Sequence, residues 1–243
     1  MHRAMSRLVL APLDLITSAL LVLLFLFVWL TSLPKLCRYW QYVLAEGLTI
    51  LRLRAELGLT EHHLTPYVRF VIPYPRMEGI FPDARTWWLS SAIVLVLLVV
   101  SFLLPVKLIP LSYLLRAVLF IQATAQLVFL WEPARFPHTP DSYMEGLAGY
   151  GIALISFVPI LFGFTYYILN FGLSRKVILT AATMIHLSLF FPVHILLQAV
   201  ILQKSILFMP LLYIVFGLPV EVLMIIAFYS WGMSWPTKAP PAT

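Results

Sequence analysis

The chain has 243 residues, 62% of them hydrophobic and 11% charged, with a formal net charge of +6. A soluble domain carries about a quarter charged residues, and here most of the charges fall between long uncharged stretches, which argues against a soluble globular fold. The basic excess suits the ends of membrane helices better than nucleic acid, since no basic run interleaved with aromatics occurs.

The first apolar stretch, about 9–31, follows a short basic segment and so resembles a signal peptide. Its apolar run of about 23 residues exceeds the usual 7–15, and no A-x-A site follows, which predicts a retained first membrane helix. Cys37, the single cysteine, leaves no internal disulfide or four-cysteine metal site and is expected to be a structural thiol.

Residues 32–86 form a long first loop with seven basic residues and five acids. Taken at about 100° per residue, Arg38, Gln41, Glu46, Thr49, Arg52 and Glu56 share one arc, and Trp40, Val43, Leu44, Ile50, Leu51 and Leu57 the other. This predicts an amphipathic helix, lying in the membrane interface or packed on the protein's own helices. The following "TPYVRFVIPYPRMEGIFPDARTWW", with four prolines, predicts an extended loop. The adjacent His62 and His63 lack the further ligands a zinc site needs.

Five more stretches reach the roughly 20 apolar residues that cross a bilayer: about 87–104, 110–131, 147–170, 177–202 and 206–231. The expected fold is therefore all-α, a single polytopic integral membrane domain over 1–243. It has six transmembrane helices and an amphipathic interfacial helix in the first outer loop. Trp87, Trp88, Trp131, Trp231 and Trp235 sit at predicted helix ends, where interface-seeking rings belong. Arg3, Arg7, Lys107, Arg175, Lys176 and Lys238 fall on one side, against Arg135 and Lys204 in the two short loops of the other. That places both termini in the cytoplasm, in a bacterial inner membrane.

Ionisable groups inside spans are costly and mark contacts or pathways. They are Asp14, Arg116, His186, His194 and Glu221, with Gln122, Gln126, Gln198 and Asn170 as neutral companions. His186 and His194 are eight residues apart, a rise of about 12 Å, so they cannot share one metal; no metal or cofactor is expected. If the last two spans form a tight hairpin around Lys204, His186 lies at the depth of Glu221 and His194 at that of Tyr213. An interhelical His186–Glu221 contact is expected from this. Arg116 either snorkels or pairs with Asp14 or Glu221, and Gln122 and Gln126 share a face suited to interhelical hydrogen bonds.

The loop "WEPARFPHTPDSYMEG" offers His138, Asp141 and Glu145 for acid–base work on a lipid-linked substrate at the outer face, though a rigid connection explains the same residues. Asp141 and Ser142 suit a helix cap. No phosphate loop, zinc-protease pair or nucleophile turn occurs. The leading functional expectation is a non-catalytic integral subunit of a larger membrane assembly, in envelope biogenesis or transport, with membrane lipid and other membrane subunits as partners and no nucleic acid. The alternatives are a small proton-coupled transporter component and a membrane enzyme acting on lipid at the outer face.

Overall fold

The computed structural model describes residues 12–65, 68–133, 136–166 and 172–235. Six helical segments are long and apolar enough to cross a membrane: Leu15–Ile50, Ala84–Leu103, Val106–Trp131, Pro140–Thr165, Leu173–Leu202 and Ile206–Met233. They are the segments of a multi-pass integral membrane protein.

The first helix, α1 (Pro12–Ile50), has 39 residues and is about 58 Å long, nearly twice a hydrocarbon core of roughly 30 Å. The separate interfacial helix expected after residue 32 is instead the far half of α1. Its buried stripe, Leu33, Cys37, Trp40, Leu44 and Leu48, recurs every three or four residues, the spacing of one helical face. This stripe packs on the protein's own helices: the Trp40 ring stacks on Phe191 at 5.3 Å, and its Nε1 donates to the Ser188 carbonyl at 2.8 Å. Ile50 and Leu51, placed on the apolar arc by periodicity, are exposed.

The helix stops before Glu56 and Leu57. Arg52 adopts φ 51°, its N–H reaches the Thr49 carbonyl, and the Leu53 N–H reaches the Leu48 carbonyl at 3.0 Å. This is a Schellman closure, normally made with glycine at the left-handed position. With arginine there, periodicity alone extends the helix two turns too far.

The segment after α1 is not wholly a loop. Strands β1 (Ala55–Thr65) and β2 (Val68–Met77) pair antiparallel, with Glu56 opposite Arg76 and His62 opposite Phe70. The all-α expectation is corrected to a helical bundle carrying one β-hairpin. Pro73 and Pro75 are tolerated because β2 is an edge strand, where a missing N–H costs no ladder bond. A lone hairpin is marginal in water; this one buries Phe70, Ile72, Tyr74 and Met77 in the core shared with the helices. The Thr60 hydroxyl also donates to Glu145 Oε1 at 2.8 Å.

The remaining helices are α2 (Ala84–Leu103), α3 (Ile109–Trp131), α4 (Pro140–Thr165) and α5 (Leu173–Leu202). Asp83 caps α2, accepting the Thr86 N–H at 2.9 Å, and that bonding holds its carboxyl below the usual carboxylate range. Helix α4 begins two turns before the expected 147, because Pro140 fits its first turn and Thr139, rather than Asp141 or Ser142, supplies the cap. Its core contact with α5 needs a glycine: a Cβ on Gly151 would lie 2.2 Å from Phe191 Cε1.

The sixth span is broken. A 3₁₀ turn (Ile206–Phe208), a short α turn α6 (Met209–Leu211) and a π segment (Leu212–Phe216) precede α7 (Leu218–Met233). The first part runs beside α3, and only α7 packs on α5. One end of the bundle gathers the hairpin, the segment before α4 and the α5–α6 turn, joined where the Ile206 N–H donates to the Ile80 carbonyl at 3.0 Å.

Candidate functional site

The break in the sixth span is written into its residues. Gly217 has φ −81° and ψ −130°, and a Cβ there would lie 2.7 Å from the Tyr213 carbonyl oxygen, so only glycine fits. Pro219 follows within the first turn of α7, where its missing N–H costs nothing. Two residues on, Glu221 is buried in the same turn. A carboxylate there also meets the positive end of the helix dipole.

Glu221 does not meet His186. Its Oε1 lies 2.6 Å from His194 Nδ1, with side-chain exposures of 9% and 15%. Matching by equal depth holds only for a straight hairpin, whereas residues 206–216 run beside α3 before α7 begins. The acid therefore reaches the histidine eight residues further along α5. His186 instead lies against Phe190 at 4.7 Å and Phe228 at 5.1 Å. Tyr213, expected beside His194, is exposed and lies 6.0 Å from the Tyr143 ring.

The pair continues through α5. Gln198 Nε2 lies 2.9 Å from His194 Nε2 and donates to the Phe216 carbonyl at 2.7 Å. Its Oε1 accepts the Tyr143 hydroxyl from α4. The donor inventory fixes the directions. The two amide hydrogens go to the Phe216 carbonyl and to His194 Nε2, so that nitrogen is an acceptor. Nδ1 therefore carries the imidazole proton and donates it to Glu221. Four side chains from three helices thus form one directed chain, anchored at the π segment by the Phe216 carbonyl.

Beside Tyr143 lies a cavity of about 420 Å³, walled by Phe136 and His138, by Ser142, Gly146 and Tyr150 of α4, and by Tyr213 and Gly217 of the broken span.

The other expected residues take structural positions. Arg116 donates to the Ser101 hydroxyl at 3.2 Å and to its carbonyl at 3.0 Å, with its guanidinium 4.1 Å over Phe102. It closes the α2–α3 turn instead of pairing with Glu221. Gln126 donates to Ser90 at 2.9 Å and Gln122 to the Leu207 carbonyl at 3.4 Å. These bonds tie α3 to α2 and to the broken span. The Asp14 and His63 side chains, Arg135 and Asn170 lie outside the described residues.

His138, Asp141 and Glu145 do not converge. His138 borders the cavity, Glu145 is bonded to Thr60, and Asp141 Oδ1 is buried without a hydrogen-bond partner. Among the described residues no group of three His, Cys, Asp or Glu side chains could hold a metal ion. The roles of Tyr143 and Gln198 do not emerge from sequence reasoning. The four-residue spacing of His194 and Gln198 on one helix face is the available signal, while nothing in the sequence points Tyr143 toward them.

No protein-family model, curated protein or solved structure matches the chain.

Proposed function

We propose that the chain is a proton-coupled membrane component whose working centre is the Glu221–His194–Gln198–Tyr143 chain. The carrying observation is the 2.6 Å His194–Glu221 contact at the break of the sixth span. Discontinuous spans place free backbone groups and polar side chains beside one another within the bilayer, the arrangement transport proteins use for their coupling sites.

The hydrogen-bond directions supply a coupling device. A second proton on the imidazole must go to Nε2, the atom that accepts from Gln198. The amide then loses its acceptor and turns its oxygen toward the imidazolium. That turn withdraws Oε1 from Tyr143 and Nε2 from the Phe216 carbonyl. One proton therefore alters both the cavity wall and the hydrogen bond that steadies the π segment. Glu221, facing Nδ1, balances the added charge.

The expected orientation stands with this proposal: both termini in the cytoplasm and the hairpin end outside, in a bacterial inner membrane, supported by the lysine and arginine distribution. The test is an acid pulse applied to vesicles containing the purified protein and a trapped pH dye. The wild type carries protons inward and Glu221→Gln does not. Equal rates in the two would remove the proposal.

The subunit reading keeps one specific support. Ser90 and Ser101 are the buried residues of α2, whose apolar side chains are largely exposed and which packs chiefly on α3. That surface leaves room for partner helices. Co-purification of a stable membrane partner in mild detergent, lost when α2 carries bulky polar substitutions, would favour it.

A further inference from the structure

We infer that the cavity beside Tyr143 is a binding slot for a single-chain lipid-type amphiphile that enters sideways from the bilayer. This rests on the proton-coupled reading of the same site and names the class of ligand it handles. Three observations carry it.

The first is where the cavity opens. Tyr150, Tyr213 and Ile214 line it and are 52%, 59% and 50% exposed. All three belong to segments that span the membrane, so their exposure is to hydrocarbon and not to water. A ligand arriving there is dissolved in lipid.

The second is the division of its walls. His138 and Ser142 stand at the end nearest the loop, and Tyr143, Leu147, Tyr150, Ile214 and Gly217 line the rest. Among the described residues the His138 ring nitrogens have no hydrogen-bond partner; the ring rests edge-on against Phe136 at 5.9 Å. A polar head that bonds the imidazole, joined to an apolar body lying along the tyrosines, matches both ends.

The third is width. Ser142 and Tyr150 are eight residues apart on α4, a length of about 12 Å. A volume of about 420 Å³ over that length gives a cross-section of roughly 35 Å². A helix with side chains is about 10–12 Å across, or roughly 80–110 Å². The slot is too narrow for a partner's helix and suits an extended chain. The ligand's body then lies against Tyr143, the residue that Gln198 releases on protonation, which links occupancy of the slot to the proton.

The experiment uses the full chain in lipid nanodiscs and two photoactivatable probes, a diazirine-bearing palmitate and a diazirine-bearing two-chain phospholipid, with cross-links mapped by mass spectrometry. The single-chain probe is expected to label Tyr143, Tyr150 or Tyr213, saturably and in competition with unlabelled palmitate. Gly146→Leu is expected to abolish that labelling. An added Cβ at Gly146 meets only Tyr150 Cε2, at 3.8 Å, so this variant fills the slot without displacing backbone. Glu221→Gln should still be labelled.

Labelling spread evenly over lipid-facing residues such as Leu95 and Phe102 of α2, or unchanged by Gly146→Leu, would overturn the inference. Preferential labelling by the phospholipid would overturn the single-chain assignment. If the slot labels as expected while vesicles move no protons, the functional reading fails and the slot stands. If protons move and Gly146→Leu changes nothing, the slot fails alone.

Discussion

Gln198 is the joint of the polar chain, and replacing it by leucine removes three hydrogen bonds at nearly constant volume. Lost are the Tyr143 bond, the 2.7 Å bond to the Phe216 carbonyl and the 2.9 Å contact with His194. Side-chain hydrogen bonds between membrane helices average about 0.6 kcal/mol, with a maximum near 1.7. Three of them give a loss of about 2–5 kcal/mol. The upper end applies if the orphaned groups find no new partners, since Gln198 itself is only 1% exposed. Reversible unfolding in mixed micelles, followed by circular dichroism, measures this. A cycle with Tyr143→Phe isolates one bond, with a coupling energy of about 0.6–2 kcal/mol. A Gln198→Leu variant within about 0.5 kcal/mol of wild type, or strict additivity with Tyr143→Phe, would refute the network.

Separate parts of the fold carry further expectations. Arg52→Gly should stabilise the protein by about 1 kcal/mol, because a non-glycine residue at φ 51° carries left-handed strain; thermal unfolding reads this, and a loss of stability would contradict the helix ending described. Gly151→Leu should destabilise by about 1–3 kcal/mol or more, since its Cβ alone meets Phe191 at 2.2 Å in a packed core, and a neutral result would show that α4 and α5 do not approach so closely. Thr60→Val breaks the bond to Glu145, so hydrogen exchange should rise in β1 while the membrane helices stay protected. Unchanged exchange in β1 would rule out that tether.

The apolar runs are legible because about 20 consecutive apolar residues have few other uses, and five of the six expected spans overlap the observed helices closely at one end or both. Composition does not record what interrupts a run. The bend at Gly217 depends on a close approach to the Tyr213 carbonyl, and the displacement of residues 206–216 toward α3 is a tertiary matter. Depth matching therefore assigns Glu221 to His186, although a buried acid in that span is visible from the sequence. The amphipathic stripe on α1 shows at Trp40, Val43 and Leu44, but its end is hidden because Arg52 stands where glycine would announce a stop. The hairpin is obscured by Pro73 and Pro75, which argue against a strand unless it lies at an edge. Tyr143 reaches Gln198 only because α4 starts at Pro140, two turns earlier than apolar content alone implies.

If Gln198 relays protonation of the His194–Glu221 pair to the break in the sixth span, acid must loosen that break. Hydrogen exchange of residues 212–221, compared at neutral and acidic pH after correction for intrinsic rates, reads the effect at the backbone itself. Acidification is expected to speed exchange there in the wild type and to leave it unchanged in His194→Gln. Equal protection at both pH values in the wild type, or the same acceleration in the variant, would contradict the relay.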